Sequence, residues 1–499
     1  MTSKAYLAFD LGAESGRAVL GRMDDGRLGF DEIHRFANTP LVESSSLRWN
    51  VHALWQEMQH ALTLVEGVEL SGIAVDTWGV DYALLGPQGE LLENPFHYRD
   101  ARNGPAMTDA LKMVSRDEIY ARTGVQFLSI NTLYQLVAAR RHNPALLDAA
   151  HRFVMMPDLF NYWLTGEMVC EYTDASTTQL IDPTTRTWAL DLFERFDLPV
   201  RIAPPIVEPG SRLGAIRPGA NPRGTLGGTP VVATASHDTA SAVAAIAARD
   251  GTAFISSGTW SLVGMEVDAP VLTPRAMQLN FSNEGGVEGT TRLLKNVMGL
   301  WLLQGCRKSW AQRGHHFTYE ELITAAVGEP GFQHLVDPDH AAFVNPEDMP
   351  GAIGRFCRQT DQPIPSTPGA CARAVLDSLA LKYRIVIKEL EQVAGRPIER
   401  IRVIGGGSQN MLLNQLTADA TGLPVIAGPV EATALGNIAV QMLATGGVAS
   451  LADARAIIDR SFERTTFVPR DVDVWIRESP RFEQYCRNAS CLKRLSSNI

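Results

Sequence analysis

The sequence has little that would tie the protein to a membrane or to a polyanion. Its 499 residues contain no apolar run near the roughly 18 residues that a membrane-spanning helix needs, and the longest run, at 240–248, is rich in alanine. The apolar stretch after Lys4 is interrupted by Asp10, unlike a secretory signal. Lys and Arg number 45 against 55 Asp and Glu, a formal net charge of −10. We therefore expect a cytoplasmic protein that binds neither membrane nor nucleic acid and is a monomer or a weak homo-oligomer.

Cysteine is scarce, and the dipeptide Gly-Lys is absent. Without Gly-Lys there is no Walker A phosphate loop. No two cysteines are spaced as C-x-x-C, so a zinc site of paired cysteines is not indicated, and reduced thiols are expected. Only Cys357 and Cys371 merit a test for a disulfide. The cysteines are Cys170, Cys306, Cys357, Cys371, Cys486 and Cys491.

The order of predicted elements is similar in the two halves of the sequence. A chain of 499 residues exceeds the roughly 250–300 residues at which a single core stops growing, so we expect two domains, 1–248 and 249–499. In each half a strand leads into a turn of small residues, followed by two further strands and a helix. The predicted elements are strands at 5–10, 17–23, 28–36 and 72–75 with a helix at 51–65, and strands at 252–256, 260–267 and 277–281 with a helix at 293–310.

Helices and strands alternate in the last third of the sequence. Gly395 and Gly422 are predicted to end two of the helices. Such alternation is typical of an α/β fold. The predicted elements are helices at 368–393, 410–420 and 432–444 and strands at 401–404 and 424–427.

Two turns of small residues have the composition of phosphate-binding loops. In the first, Asp10 ends a buried strand, and Ser15 and Arg17 offer donors, so Asp10 is a candidate neighbour of a phosphate-bound magnesium ion. The alternative is an ordinary hairpin in which the aspartate caps its own turn. The second turn, 256–259, offers hydroxyl and backbone N–H groups at the same place in the second half.

A run of three glycines, 405–407, follows a predicted strand. A dinucleotide-binding fingerprint would need another glycine where Asn410 stands, and the first strand of the chain leads to a hairpin and not to a helix. We therefore interpret this loop as a backbone surface without side chains, against which a nucleotide can lie.

Carboxylates follow two other predicted strands. Asp238 comes directly after Ser236 and His237 and is either the N-cap of a helix or a base that accepts a proton from a substrate hydroxyl. The segments 76–81 and 98–102 supply further carboxylates and an indole, as a carbohydrate site requires. Their alternative interpretation is a solvated loop with a packed Trp78.

Long segments of the chain resemble the FGGY carbohydrate kinases. They are DLGAESGR, IAVDTWGVDY, TGVQFLSINTLYQL, MMPDLFNYWLTGE, VATASHDTASAV, FISSGTWSLVG, NEGG, LLKNVMGLWLLQ, VIGGGSQN and GPVEATALGN. The resemblance implies an α/β fold of two ribonuclease-H-like domains of the actin-like ATPase kind. It also implies an interdomain active-site cleft, with sugar bound by 1–248 and nucleotide by 249–499.

The resemblance also implies roles for individual residues. Asp238 corresponds to the proton acceptor, and Asp10 to an aspartate near magnesium. Asn296 and Gln304 fall within the helix predicted at 293–310, so one helix would serve both ligands. The implied ATP-site residues are Ala13, Glu14, Ser15, Gly16, Arg17, Thr259, Gln304 and Gly406, and the implied sugar-site residues are Gly79, His237, Asp238, Thr239 and Asn296. Glu14 departs from the expected pattern, since it adds a negative charge to a phosphate loop.

The activity implied is ATP-dependent phosphorylation of a ketose, L-rhamnulose, at O1, with ATP and Mg²⁺ required. Hydroxyl configuration is not readable from a sequence, so L-fuculose and L-xylulose remain alternative acceptors. Two other classes stay open: an ATP-driven conformational protein without a sugar acceptor, and an inactive sugar sensor. The presence of both Asp10 and Asp238 disfavours the sensor.

Overall fold

A computed structural model describes residues 4–221 and 223–496 of the chain, with side chains as far as Arg487. The strands are β1 Lys4–Leu11, β2 Ser15–Asp24, β3 Arg27–Ala37, β4 Leu41–Glu43, β5 Ser46–Arg48, β6 Leu70–Thr77, β7 Tyr82–Leu85, β8 Arg152–Met155, β9 Cys170–Glu171, β10 Ile181–Asp182, β11 Thr187–Trp188, β12 Ile206–Val207, β13 Ser211–Ala215, β14 Pro230–Ala233, β15 Thr252–Ser257, β16 Trp260–Val267, β17 Ser282–Gly285, β18 Thr291–Met298, β19 Arg400–Ile404, β20 Val425–Ala427 and β21 Thr465–Phe467.

The helices are α1 Val51–Leu64, α2 Asn103–Met113, α3 Arg116–Thr123, α4 Thr132–His142, α5 Pro144–Ala149, α6 Met156–Thr165, α7 Tyr172–Ala175, α8 Leu190–Arg195, α9 Asp238–Ala244, α10 Pro274–Gln278, α11 Trp301–Gln312, α12 Tyr319–Val327, α13 Met349–Gln359, α14 Pro368–Ala394, α15 Met411–Thr421, α16 Ala432–Ala444, α17 Leu451–Ser461 and α18 Val472–Ser496. None of the described helices is both long and apolar enough to span a bilayer.

The chain forms two compact units, and each is assembled from three segments. The first unit comprises the described residues of Met1–Ala247 with Glu266–Leu294 and Ala432–Phe462. The second comprises Ala248–Met265, Lys295–Glu431 and the described residues of Glu463–Ile499. The predicted boundary between 248 and 249 lies next to the point where the chain first passes from the first unit to the second. The two later segments in which the chain returns to the first unit were not predicted.

The sheet of the first unit combines an antiparallel meander with parallel strands. Its order is β13-β14-β6-β1-β2-β3. Strand β1 is antiparallel to β2 and parallel to β6, and β6 is parallel to β14. Leu7 and Phe9 belong to the same buried cluster as Leu54 and Met58 of α1. Because side chains alternate along a strand, Asp10 lies on the opposite face of β1 from Phe9.

The second unit repeats the same plan. Strand β15 is antiparallel to β16 and parallel to β19, which is parallel to β20. The order continues from β18 through β16, β15, β19 and β20 to β21. The predicted α/β class is therefore confirmed, and both units contain the predicted strand, turn and return strand, whereas the later elements of the plan differ in the second half. The glycine stops are confirmed too, because Gly395 and Gly422 adopt left-handed conformations directly after α14 and α15.

Two predicted elements between 277 and 310 are wrong. The strand predicted at 277–281 is instead occupied by α10 and a turn, because Thr273 accepts a hydrogen bond from Ala276 N–H and Pro274 opens a helix. The helix predicted at 293–310 begins as strand β18, which extends to Met298 and pairs with β17 through Leu294, and the chain is helical only from Trp301. Apolar residues in this segment are buried on a sheet, and their spacing alone did not separate the two possibilities.

The described cysteines are all free thiols. Cys357 and Cys371 are buried and do not form a disulfide. The thiols described at 170, 306 and 486 are free as well. The side chain of Cys491 lies outside the described residues.

Candidate functional site

Three aspartates lie at the carboxyl ends of neighbouring strands in the first unit. Asp10 of β1 and Asp76 of β6 are direct register partners, and Asp238 follows β14, the next strand. Asp76 has no exposed surface. Burial raises its pKa well above the usual range, and the charges of Asp10 and Asp238 raise it further. The cluster therefore favours the protonated form of Asp76.

Arg17 fixes the orientation of the Asp10 carboxylate. The two residues are opposite each other in the β1–β2 hairpin. Nε and Nη2 of Arg17 donate hydrogen bonds of 2.9 and 2.6 Å, both to Oδ2 of Asp10. Glu14, in the turn of this hairpin, is exposed to solvent, so the charge that departs from the expected pattern points outward.

The turn itself is closed by backbone bonds. Gly12 N–H donates to the carbonyl of Ser15 at 2.9 Å, and Nδ2 of Asn38 donates to the carbonyl of Gly12, also at 2.9 Å. Of the predicted loop Ala13–Arg17, only Ala13 and Glu14 lie in this turn, and the residues from Ser15 onward begin β2.

Asn437 of α16 reaches the buried aspartate. Its Nδ2 donates to Oδ2 of Asp76 at 2.6 Å. Oδ1 of Asp76 accepts no hydrogen bond from any described residue. A group separated by 361 positions in the chain therefore holds this carboxyl in place.

Asp238 is the first residue of α9 and not its N-cap. The N-cap is His237, whose backbone is extended and whose side chain makes no capping bond. The carboxylate of Asp238 instead accepts a hydrogen bond from Oγ1 of Thr239 at 3.1 Å. Its side chain is 33% exposed, in contrast to Asp76. Desolvation raises the pKa of Asp238, His237 lowers it, and the charge of Asp10 raises it. An accessible carboxylate of this kind is suited to accept a proton.

Three charged or titratable groups surround the imidazole of His237. Nε2 lies 3.4 Å from Oδ1 of Asp238, and Nδ1 lies 3.2 Å from Nη2 of Arg292 and 3.5 Å from Oε2 of Glu284. Arg292 has no exposed surface, and Glu284 is its register partner across β17 and β18. Burial alone would raise the pKa of Glu284, but His237 and Arg292 lower it.

A buried glutamate holds the loop that carries His237 and Asp238. Oε2 of Glu171 accepts the backbone N–H of Ser236 at 2.9 Å and the hydroxyl of Thr173 at 2.5 Å. The same hydroxyl oxygen accepts the backbone N–H of His237 at 3.3 Å. The loop before α9 is therefore anchored at two successive amides.

Asp81 organises an aromatic cluster beside this site. Its Oδ2 accepts bonds from Nε1 of Trp49 at 2.6 Å, from Nε1 of Trp78 at 3.0 Å and from Tyr98 N–H at 3.2 Å. Oδ1 accepts from Nε2 of Gln135 at 2.7 Å. Burial raises the pKa of Asp81 to about 7, and these hydrogen bonds oppose that rise. Trp78 is thus a packed residue, as its alternative interpretation proposed, but in a fixed orientation next to Gly79.

The backbone next to Gly79 is strained. Val80 is β-branched and has a φ of 69°, a conformation that costs about 1–3 kcal/mol and persists where surrounding bonds enforce it. Its N–H donates to Oγ1 of Thr177 at 3.0 Å, and its carbonyl accepts from Thr132 at 2.6 Å and Gln135 at 3.2 Å. Such strain is typical of functional sites, which supports the predicted place of Gly79 in a binding site.

In the second unit, the turn after β15 is fixed by a helix. The carbonyl of Thr259 accepts the N–H groups of Gly299 and Trp301, and the carbonyl of Gly258 accepts that of Leu300. These bonds hold the start of α11 against the turn, and Gln304 lies in the first turn of that helix. Oε1 of Gln304 is buried and has no hydrogen-bond partner among the described residues.

The glycine loop packs against the same turn. A Cβ on Gly405 would lie 3.1 Å from the carbonyl oxygen of Ser257, and a Cβ on Gly407 would lie 2.5 Å from its Cβ. A Cβ on Gly406 would meet nothing within 4 Å, and this residue is exposed. The structure therefore brings the predicted residues Thr259, Gln304 and Gly406 to one region, with an open backbone surface at Gly406.

The predicted pairing of Asn296 with Gln304 on one helix is wrong. Asn296 lies in β18 and Gln304 in α11, and the chain changes from strand to helix between them. Their spacing of eight residues therefore does not place them on one helical face, and each needs its own account.

Comparison with known proteins agrees with this organisation. Residues 5–245 match the model of the FGGY family of carbohydrate kinases, N-terminal domain, and residues 253–445 match its C-terminal domain. The chain belongs to the FGGY family of carbohydrate kinases. An FGGY kinase of this type uses ATP as phosphoryl donor, so the α/β fold and the enzyme class predicted from the sequence are confirmed.

Alignments with similar sequences and structures cover nearly the whole length of this FGGY kinase. A rhamnulokinase of Bacteroides thetaiotaomicron is 44% identical over 473 residues, covering 94% of this chain and 97% of the relative. A rhamnulokinase of Bacillus subtilis is 40% identical, covering 94% and 96%. Among solved structures, a gluconate kinase from Lactobacillus acidophilus matches with a TM-score of 0.80 at 17% identity and 98% coverage of both chains. A xylulose kinase from Rhodospirillum rubrum matches with a TM-score of 0.78 at 21% identity, covering 98% of this chain and 99% of that one. The structural matches bear on the fold alone.

Several residues of the site were not singled out from the sequence. Arg292, Glu284, Glu171, Thr173 and Asn437 acquire their roles from contacts between distant segments. Glu284 and Asn437 lie within the motifs NEGG and GPVEATALGN that carry the family resemblance, so a signal was present there without a role attached.

Proposed function

We propose that this FGGY kinase is a rhamnulokinase, which transfers the γ-phosphoryl group of ATP to O1 of L-rhamnulose in L-rhamnose degradation. The observation that carries the proposal is the partly exposed carboxylate of Asp238, at the end of a parallel strand and next to His237. The rhamnulokinases of Bacteroides thetaiotaomicron and Bacillus subtilis support the choice of acceptor, since they are 44% and 40% identical to this chain.

In the proposed reaction Asp238 accepts the proton of the sugar O1 as the bond to phosphorus forms. A positioned base of this kind contributes about 10²–10⁴-fold to the rate. The sugar is held by the first unit through Gly79, His237 and Thr239, with Asn296 of β18 as a further contact. Asp238 requires an ionised carboxylate at the working pH; burial raises its pKa, and the neighbouring His237 opposes that rise.

The nucleotide is assigned to the loops of small residues. Ala13–Arg17 receive the phosphates, with Arg17 offsetting charge on the transferred group. Thr259 and Gln304 contact the phosphates and ribose, and the exposed backbone of Gly406 lets the nucleoside lie flat. The amide of Gln304, in the first turn of α11, is a group of the type that binds a ribose hydroxyl.

Magnesium is expected beside Asp10. No described group of three or more His, Cys, Asp or Glu side chains is arranged to hold a metal by itself. Mg²⁺ is usually held by one or two carboxylates together with phosphate oxygens and water. Asp10, a carboxylate held by Arg17 through Oδ2, fits that donor set. When bound there, the ion would neutralise charge on the phosphates.

The test is coupled ADP release with MgATP and a panel of ketoses, using the wild type, Asp238→Asn and Asp24→Asn. Asp24 is an exposed aspartate at the end of β2 and serves as the matched control. L-Rhamnulose is expected to give the highest kcat/KM, with Asp238→Asn folded but about 10²–10⁴-fold slower. A higher kcat/KM with L-fuculose or L-xylulose would assign another acceptor. ADP release that does not depend on any sugar would favour a conformational ATPase.

A further inference from the structure

Arg292 contacts the imidazole next to the proposed base, and its own position is fixed. Its side chain has no exposed surface, and Nε donates to the carbonyl of Gly285 at 2.7 Å. Nη2 lies 3.2 Å from Nδ1 of His237 and 3.3 Å from Oε2 of Glu284. A guanidinium is a donor only, so a hydrogen bond between Nη2 and Nδ1 requires Nδ1 to accept.

The opposite tautomer is disfavoured by the same contacts. A proton on Nδ1 would point toward Oε2 of Glu284, which is 3.5 Å away and farther than Nη2 of Arg292. That proton would also face the N–H of the guanidinium, so two donors would oppose each other in a buried site. The charge of Glu284 is balanced by Arg292, and its Oε1 accepts a 3.0 Å bond from Oγ of Ser282, whereas its Oε2 accepts no hydrogen bond from a described residue.

We infer that Arg292 fixes His237 in the tautomer protonated at Nε2, so that its N–H is directed at the carboxylate of Asp238. Arg292 is then a positioning residue, which acts on the base through the imidazole. Nε2 and Oδ1 of Asp238 are 3.4 Å apart, long for a hydrogen bond, as is common for catalytic contacts before substrate binds. An N–H aimed at Oδ1 orients that oxygen and stabilises its charge beside Asp10. The naming of Asp238 as the base rests on the proposed function, whereas the tautomer does not.

The tautomer is measurable directly by NMR of protein labelled with ¹⁵N-histidine. The chain has 11 histidines, and the His237→Gln variant assigns the signals of interest. We expect a proton on Nε2 and an unprotonated Nδ1 that accepts a hydrogen bond. A proton on Nδ1, or on both nitrogens, at neutral pH in the wild type would overturn the inference, whatever the behaviour of any variant.

The functional arm replaces the buried pair by two apolar side chains, Arg292→Met with Glu284→Met. Apolar replacement of a whole buried ion pair is often tolerated, whereas removal of one partner is not. The matched control is Arg455→Met with Glu266→Met, a pair of the first unit in which only the glutamate is fully buried and whose atoms are 2.9 Å apart. We expect the first double variant to populate both tautomers and to lose about tenfold in kcat for the sugar, less than the base itself contributes. The KM for the sugar should change less than kcat.

The control pair should leave both the tautomer and kcat unchanged. Retention of the Nε2 tautomer and of kcat in Arg292→Met with Glu284→Met would contradict the role of Arg292. The two proposals can be contradicted separately. A wild type that has the expected tautomer but no activity on any ketose would contradict the proposed function alone. Turnover of L-rhamnulose by a wild type with a proton on Nδ1 of His237 would contradict the tautomer inference alone.

Discussion

The hydroxyl of Thr173 joins the backbone of His237 to a buried acid. It accepts His237 N–H at 3.3 Å and donates to Oε2 of Glu171 at 2.5 Å. Thr173 and Glu171 have no exposed surface. Together with Glu171, which accepts Ser236 N–H, this side chain fixes the loop that carries the proposed base, between β14 and α9.

Replacement of this hydroxyl should slow catalysis more than it weakens sugar binding. Thr173→Val keeps the shape of the side chain but leaves Glu171 and the His237 amide short of a partner, at a cost of about 1–3 kcal/mol in the free energy of unfolding. We expect kcat to fall about tenfold or more, because the loop carrying the base shifts. Thr173→Ser keeps the hydroxyl and is the matched control in steady-state kinetics and urea denaturation. Equal kcat in the Val and Ser variants would contradict the positioning role.

Local pattern was sufficient to predict several of the elements that carry the site, but not β17, β18 or the contacts that complete it. The hairpin from β1 to β2, helix α1 and the glycine-stopped helices α14 and α15 were predicted because periodicity and turn residues are local signals. The segment from 277 to 298 was not, because its apolar residues suit a buried strand as well as a helix.

Long-range partners explain the rest of the difference. Asn437 bonds to Asp76 across 361 positions, and Arg292 contacts His237 across 55. Nothing in the sequence near Asp76 indicates that its partner is on α16. Asp238 is accessible and Asp76 is buried, and this difference in exposure also depends on the tertiary structure.

Glu171 should make the stability of the protein depend on pH. Burial raises its pKa from 4.5 to about 7, against bonds from Thr173, Ser236 and Asp174 that lower it. The native state therefore binds the proton more tightly than the unfolded chain. The stability contribution of the protonated group is complete below the unfolded pKa and is lost as pH rises through the window toward 7.

The Glu171→Gln variant removes that titration. Gln places an amide next to the N–H of Ser236, so we expect the variant to be less stable than the wild type at pH 5. The difference should shrink toward pH 7, by at most about 1.4 kcal/mol per pH unit. Urea denaturation between pH 5 and pH 8 measures it, with the exposed Glu167→Gln as control. A constant difference across the range would show that Glu171 titrates normally.

Arg17 should not be replaceable by lysine. Its Nε and Nη2 both donate to Oδ2 of Asp10, at 2.9 and 2.6 Å, and a single ammonium cannot reproduce that fork. Loss of one charge-assisted bond is worth about 1.5–3 kcal/mol, or roughly 10–100-fold in kcat/KM for ATP in Arg17→Lys. Arg22→Lys, on the same strand and 44% exposed, is the control and should keep wild-type kinetics. Unchanged kcat/KM for ATP in Arg17→Lys would remove Arg17 from the phosphate site.

The glycine loop allows binding and folding to be tested at adjacent positions. A methyl group on Gly406 meets nothing within 4 Å, so Gly406→Ala should leave the free energy of unfolding within about 0.5 kcal/mol of the wild type. If a nucleotide lies against this backbone, the same methyl group displaces it, and KM for ATP should rise about tenfold while KM for the sugar stays unchanged. Gly407→Ala would instead collide with the side chain of Ser257, and overpacking of this kind costs about 1–3 kcal/mol. We therefore expect urea denaturation to show a lower midpoint for Gly407→Ala. For Gly406→Ala we expect only KM for ATP to change, measured by ATP-dependent kinetics. A Gly406→Ala enzyme with wild-type KM for ATP would exclude this loop as the nucleotide surface, because the methyl group would then occupy space that the nucleotide does not use.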